Sequence, residues 1–219
     1  MLSVEYPGYG VYEGESNAKT IIEDAEIVFD FLTQEVGVAP ENIYLFGRSI
    51  GSGPSTYLAA HREPGMLILM SPYTSIREVV KSIAGALAQY LVAERFRNID
   101  EISKVTCPCF FIHGNKDTLI PDSHTKELFA KCKAVVGLHL SENMTHNAFS
   151  MFGDVLKPVL KFIKQLDITS TPAVYKFPKY VTSVPLRKYK KAFTAAPKFE
   201  ANTSQDKSPI AISKTLTTL

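Results

Sequence analysis

The stretch Asn42-Ile-Tyr-Leu-Phe-Gly-Arg-Ser-Ile-Gly-Ser-Gly53 decides the fold. Its first five residues, Asn42 to Phe46, form an apolar run that reads as a buried strand. From Ile50 onward, small residues with Pro54 in the first turn read as a helix, because proline's fixed φ and missing N–H suit that position. Between the two lies Gly47-Arg-Ser-Ile-Gly51, a Gly-x-Ser-x-Gly pentapeptide at a strand-to-helix junction. A turn that sharp forces the serine into a strained backbone conformation, and glycines two before and two after it, Gly47 and Gly51, remove side chains expected to clash there. Ser49 is then exposed above the sheet as a candidate nucleophile. The amide of Ile50, helped by the helix N-terminus, points toward a developing oxyanion. The alternative, a phosphate-binding turn, lacks the Gly-Lys-Ser/Thr ending of a nucleotide loop.

Outward from this junction, short apolar runs alternate with segments of helical period, the pattern of strands joined by crossover helices. Strands are expected at 2–6, 42–46, 66–70, 109–113 and 135–140. Helices are expected at 18–36, where Ile21, Ile22, Ala25, Val28, Phe29, Leu32 and Val36 share one face, at 122–131 and at 155–166. Residues 76–92 are amphipathic and read as a helical excursion over the top of the sheet. The expectation is an α/β domain over 1–167, with a mainly parallel sheet flanked by helices. After Ile168 the periodicity stops, and 168–219 reads as a disordered tail rich in Pro, Ser, Thr and Lys, with too little apolar surface to offset an ordering entropy of about 1–2 kcal/mol per residue.

A nucleophilic serine needs a base, and the base needs a carboxylate to fix its tautomer; on α/β sheets these follow in the order acid, then histidine. Asp117, in Ile112-His-Gly-Asn-Lys-Asp117, and His146, in Ser141-Glu-Asn-Met-Thr-His-Asn147, each fall just past a strand and in that order. His113 is the competing histidine, and a structural hydrogen-bonding role suits it better. His113, Asp117, Asp122 and His124 are close enough in sequence to raise a metal site, but no His-x-x-x-His or His-Glu-x-x-His spacing is present, so neither a metal nor a cofactor is expected.

The 219 residues carry 24 basic and 22 acidic side chains, 45% hydrophobic residues and three cysteines. That composition excludes collagenous, fully disordered and disulfide-scaffold classes. An odd cysteine count with no Cys-x-x-Cys pair suggests a reducing compartment, and no apolar run or leader points to membrane insertion or secretion. The net charge of +2 is a sum of unlike parts: residues 168–219 hold nine basic and two acidic side chains, whereas 1–167 hold 15 and 20.

Glu5-Tyr-Pro-Gly-Tyr-Gly10, Glu13-Gly14, Pro40-Glu-Asn-Ile-Tyr44, Gly47-Arg-Ser-Ile-Gly-Ser-Gly53, Ser71-Pro72, Phe96-Arg-Asn-Ile99, Cys107-Pro108, Ile112-His-Gly-Asn-Lys-Asp117 and Thr145-His-Asn147 together resemble the α/β-hydrolase-domain depalmitoylases and their close relatives, over residues 2–166. The resemblance implies a cytoplasmic serine hydrolase that cleaves acyl thioesters or esters, in the manner of a palmitoyl-protein thioesterase. Ser49 would be nucleophile, Asp117 acid and His146 base; the substrate would be an acylated protein or a small acyl ester. Such relatives carry further strands before residue 2, one ending in a His-Gly-Asn turn that donates a second oxyanion amide and pairs beside the 42–46 strand. The expectation is therefore a sequence that begins at an internal methionine, or else a shortened, inactive remnant acting through its basic tail. The cysteine-rich membrane anchor of some relatives is likewise not expected from the 219 residues. The aromatic and basic tail could replace it at an anionic membrane surface, worth about 1 kcal/mol per basic residue; nucleic acid is the less favoured partner.

Overall fold

The computed structural model describes residues 1–10, 12–168 and 174–178. Nearly all of the expected tail, 168–219, lies outside these described residues.

Four strands, β1 (Tyr44–Arg48), β2 (Met66–Met70), β3 (Cys109–Gly114) and β4 (Val136–Ser141), pair in parallel in the order β1-β2-β3-β4. Parallel pairing puts every carboxyl end, at Arg48, Met70, Gly114 and Ser141, along one edge of the sheet. The two central strands are near-continuous apolar runs because both of their faces are covered. Alternation sends Leu67, Leu69, Cys109 and Phe111 to one side, where they pack with Ala59, Ile102, Val105 and Leu128. Met66, Ile68, Met70, Phe110 and Ile112 go to the other, against Met144, Val155, Val159 and Phe162.

The helices supply those covers. α1 (Ala18–Asp30) buries Ile21, Ala25 and Phe29, one face at i, i+4 and i+8, and its cap Asn17 accepts the Thr20 amide at 2.9 Å. Ala25 and Phe29 pack on Leu58 of α2 (Ser52–His61), the helix that follows the turn at Ser49. α3 (Ile76–Ala84) ends where Gly85 takes a φ of 89°, and a 3-10 turn at Ala88–Leu91 continues the excursion. A short α4 (Asn98–Glu101), α5 (Asp122–Lys131) and α6 (Lys157–Gln165) complete the set. The expected helix over 18–36 ends in a π-helical turn at Phe31–Glu35, and the one expected over 155–166 is entered through a π-helical turn that starts earlier, at Met151–Leu156.

One expected strand does not form. Residues 2–6 have no strand pairing, and the chain runs into a turn in which Tyr9 N–H donates to the Tyr6 carbonyl at 3.0 Å and Gly8 N–H to Tyr12 at 2.8 Å. Alternation specifies a face, but a strand also needs a ladder partner, and β1, the nearest candidate, lies at the edge of the sheet with no strand beside it among the described residues. Phe46 of β1 is accordingly 48% exposed, although the sequence reads it as buried.

Candidate active site

Ser49 sits between β1 and α2 with a φ of 51°, left-handed backbone that a non-glycine residue adopts only at a cost of about 1–2 kcal/mol. Close packing of the turn holds it there. A Cβ on Gly47 would lie 2.6 Å from the Gly51 carbonyl oxygen and 2.9 Å from the Ser52 Cα, so only glycine fits. Gly51 differs from expectation: its φ is −65° and a Cβ there would meet nothing nearer than the Tyr6 hydroxyl at 3.5 Å. The steric demand falls instead on Gly47 and on Gly53, whose Cβ would lie 2.4 Å from Phe96 Cγ. Ser52 Oγ donates to the Ser49 carbonyl at 2.7 Å, closing the turn from within.

The loops after β3 and β4 meet over this turn. They are laced together by Asn115 N–H to the Ser141 carbonyl at 2.8 Å and Lys116 N–H to Met144 at 3.2 Å. Gly114 allows the contact, since a Cβ would overlap the Met144 carbonyl. The lacing brings the three expected residues into one chain of hydrogen bonds: Asp117 Oδ2 to His146 Nδ1 at 2.8 Å, and His146 Nε2 to Ser49 Oγ at 3.0 Å. A carboxylate accepts only, so Nδ1 carries the proton and donates; Nε2 is then free to accept from the serine hydroxyl. The geometry is the one that a nucleophile, a base and an orienting acid require, with Asp117 and His146 both buried.

Burial alone would raise the Asp117 pKa, but the Ile120 amide and the hydrogen bond and charge of His146 outweigh it and hold the carboxyl below its ordinary range. Its Oδ1 accepts both the Leu119 and Ile120 amides, at 3.0 and 2.9 Å. His113, the rejected competitor, is fully buried beneath the same loop. Its Nε2 donates to the Ile120 carbonyl at 2.8 Å and Nδ1 accepts from Thr125 Oγ1 at 2.6 Å. Burial pushes its pKa down and keeps it neutral, a brace for the acid loop.

Ile50 lies in the 3-10 turn Ser49–Gly51 that opens α2, where the first amides lack an acceptor within the helix. The Tyr73 hydroxyl donates to its carbonyl at 3.4 Å.

Three residues without an assigned role in the sequence also hold the site. Asn98 is buried and donates to Ser52 Oγ at 3.1 Å and to the Tyr73 carbonyl at 2.9 Å, tying α2 to the loop after β2. His124 accepts the Thr74 amide on Nδ1 at 3.3 Å and so presents Nε2–H to Ser82 Oγ of α3 at 3.2 Å. Arg48, the residue before Ser49, reaches the His146 carbonyl at 2.5 Å. The excursion at 76–96 is thus anchored just before it at Thr74 and returns through Phe96 against Gly53, with Leu87 and Leu91 at its tip 85% and 88% exposed. Among the described residues no helix is long and apolar enough to cross a membrane.

No protein-family model matches the chain. Among curated proteins it is similar to alpha/beta hydrolase domain-containing protein 17B of Homo sapiens, 36% identical over 165 residues that cover 75% of this chain and 56% of that protein. It is 35% identical over 163 residues to alpha/beta hydrolase domain-containing protein 17C of Xenopus tropicalis, covering 74% and 52%. The chain therefore spans about half the length of the curated relatives it matches. Among solved structures, an acetyl xylan esterase from Paenibacillus sp. R4 superposes with a TM-score of 0.56 at 14% identity, over 74% of this chain and 60% of that one. An alpha-beta serine hydrolase homologue from Coxiella burnetii gives 0.50 at 17%, over 74% and 66%. The parallel sheet, its flanking helices and these likenesses make the fold that of an α/β hydrolase.

Proposed function

The chain is a homologue of the alpha/beta hydrolase domain-containing protein 17 family, and from that premise we propose that it is a serine hydrolase of acyl esters and thioesters. The observation that carries the reading is the continuous chain from Asp117 through His146 to Ser49, at 2.8 and 3.0 Å. In the first half-reaction Ser49 Oγ attacks the acyl carbonyl while His146 Nε2 takes its proton, and the Ile50 amide supports the oxyanion. Collapse breaks the bond to the leaving alcohol or thiol, which receives the proton back from His146. A water then repeats the sequence on the acyl-enzyme, releasing the fatty acid and restoring Ser49. Asp117 stays ionised throughout, holding the imidazole in the one tautomer that can act as base.

The finer reading is removal of long acyl chains from S-acylated proteins. The apolar tip at Ile83, Leu87, Tyr90 and Leu91, all exposed, gives such a chain a surface to lie against. The basic residues of 168–219 would add attraction to an anionic, cytoplasm-facing membrane.

The test is labelling of the full chain with a fluorophosphonate probe, followed by release of fatty acid from an S-palmitoylated peptide. The expected result is a single phosphonylated peptide containing Ser49, lost together with fatty-acid release in Ser49→Ala. Undiminished labelling or release in that variant would refute the assignment.

A further inference from the structure

Arg48 is the last residue of β1, and its backbone runs directly into the nucleophile. Its side chain crosses to the loop after β4. There Nη2 donates to the His146 carbonyl oxygen at 2.5 Å and to Asn147 Oδ1 at 3.0 Å. The guanidinium carbon lies 5.4 Å from the centre of the Phe149 ring, so an aromatic face backs the charged plane. One part of the group is unsatisfied: Nε is buried and has no hydrogen-bond partner among the described residues. An orphaned donor of this kind carries a desolvation cost, so the geometry holds the arginine for some other interaction. The interaction present is the grip on residues 146–149.

That grip bears on a specific problem of the site. Ser49 is fixed by the strained turn, but His146 stands on a loop between β4 and the π-helical turn at Met151–Leu156, outside regular secondary structure. Around His146, Thr145 N–H donates to the Ala148 carbonyl and Ala148 N–H to Thr145 Oγ1, both at 2.9 Å, which shapes the turn but does not locate it relative to Ser49. The Lys116–Met144 and Asp117–His146 bonds tie it to the loop after β3, and Arg48 ties it directly to the strand that carries Ser49. Through one side chain, the backbone of the base is bonded to the residue adjacent to the nucleophile.

We propose that Arg48 is a positioning residue that sets the distance and angle between His146 and Ser49. The inference rests on the serine-hydrolase reading. It concerns acyl transfer rather than substrate binding, because the arginine holds the back of the loop and the imidazole alone faces the hydroxyl. A misplacement of about 1 Å between reacting groups costs roughly 100-fold in rate.

The experiment measures kcat and KM for a p-nitrophenyl ester with the full chain, with thermal midpoints alongside. Arg48→Ala should lower kcat about 30- to 100-fold with KM within about threefold, by the same positioning argument. Arg48→Lys, which keeps one charged donor, should recover part of the loss. Added guanidinium at non-denaturing concentration should raise the kcat of Arg48→Ala and leave Ser49→Ala silent. If Arg48→Ala does not fold, Asn147→Ala decides: a severalfold fall in kcat at an unchanged thermal midpoint supports the clamp, and an unchanged kcat overturns it. Arg48→Ala with kcat within twofold of the parent also overturns it, as does a loss that neither lysine nor guanidinium relieves and that follows a lowered midpoint. Those outcomes leave the hydrolase reading intact. A parent chain that neither turns over ester nor labels at Ser49 overturns that reading, and the clamp with it.

Discussion

Asp117 gives its two carboxylate oxygens to different tasks with respect to His146: Oδ2 holds the imidazole Nδ1 at 2.8 Å, while Oδ1 is committed to the amides of Leu119 and Ile120. The division fixes how an asparagine would sit here. Its single oxygen would stay on the two amides, and its NH2 would face Nδ1, forcing that nitrogen to accept and placing the ring proton on Nε2. Asp117→Asn should therefore fold normally yet lose about 10³- to 10⁴-fold in kcat, since a base protonated on Nε2 cannot take the serine proton. Ester hydrolysis measured beside the thermal midpoint checks both halves; a loss below tenfold would contradict the tautomer argument.

The two glycines of the pentapeptide should respond differently to the same substitution. Gly47→Ala places a methyl against backbone of Gly51 and Ser52, which cannot move without opening the turn, and should destabilise by about 1–3 kcal/mol. Gly51→Ala meets only the Tyr6 hydroxyl at ordinary contact distance and should stay within about 0.5 kcal/mol of the parent. Urea midpoints for the pair decide it, and equal losses would show that the motif's second glycine is sterically required after all.

Acid should weaken the protein well before its carboxylates titrate. Burial lowers the pKa of both His113 and His124, against partial opposition from the Ile120 carbonyl and Asp117 for the first and from Glu127 for the second. The unfolded chain takes up these protons near pH 6.5, about the ordinary histidine value, and the folded chain takes them up only at lower pH. The stabilisation from keeping them neutral is therefore complete above about pH 6.5 and is lost as pH falls from there through the folded-state values. Asp117, with a lowered pKa, contributes stability above about pH 3.9 that is lost as pH drops through its own folded value. Urea midpoints should fall between pH 7.5 and 5.5; a flat profile over that span would count against both buried histidines.

The exposed tip of the excursion predicts a selectivity effect without a stability effect. Leu87→Ser and Leu91→Ser remove side chains that pack on little, so the thermal midpoint should hold. With the proposed acyl surface made polar, kcat/KM for a palmitoyl ester should drop severalfold while that for an acetyl ester stays level, since each methylene removed from water is worth about 0.8 kcal/mol. Parallel losses on both esters would place the acyl chain elsewhere.

Much of this site is legible along the chain because its parts announce themselves locally. A strand, a Gly-x-Ser-x-Gly and a helix lie within twenty residues, and Asp117 and His146 each follow an apolar run in the order an α/β sheet requires. The braces carry no such signal. Arg48 and His146 are 98 residues apart, and nothing near either one marks the bond. Gly53 reads as one more small helix residue until Phe96 packs onto it. Residues 2–6 fail for the opposite reason: their alternation is real, but strand formation depends on a neighbouring ladder that a local pattern cannot reveal. Phe46 reads as interior on the same grounds and is not.

The open side of β1 has a consequence for the molecule in company. Among the described residues no strand pairs with its outer side, and a parallel strand so placed offers its backbone groups to a further extended segment; β-proteins ordinarily guard such borders with lysines, prolines or bulges. β1 runs Tyr-Leu-Phe-Gly-Arg, and its single charge is turned inward to the base loop. Among the described residues that border carries neither lysine nor proline to turn a further strand away. A strand seated there would extend the sheet past β1 and cover the exposed ring of Phe46.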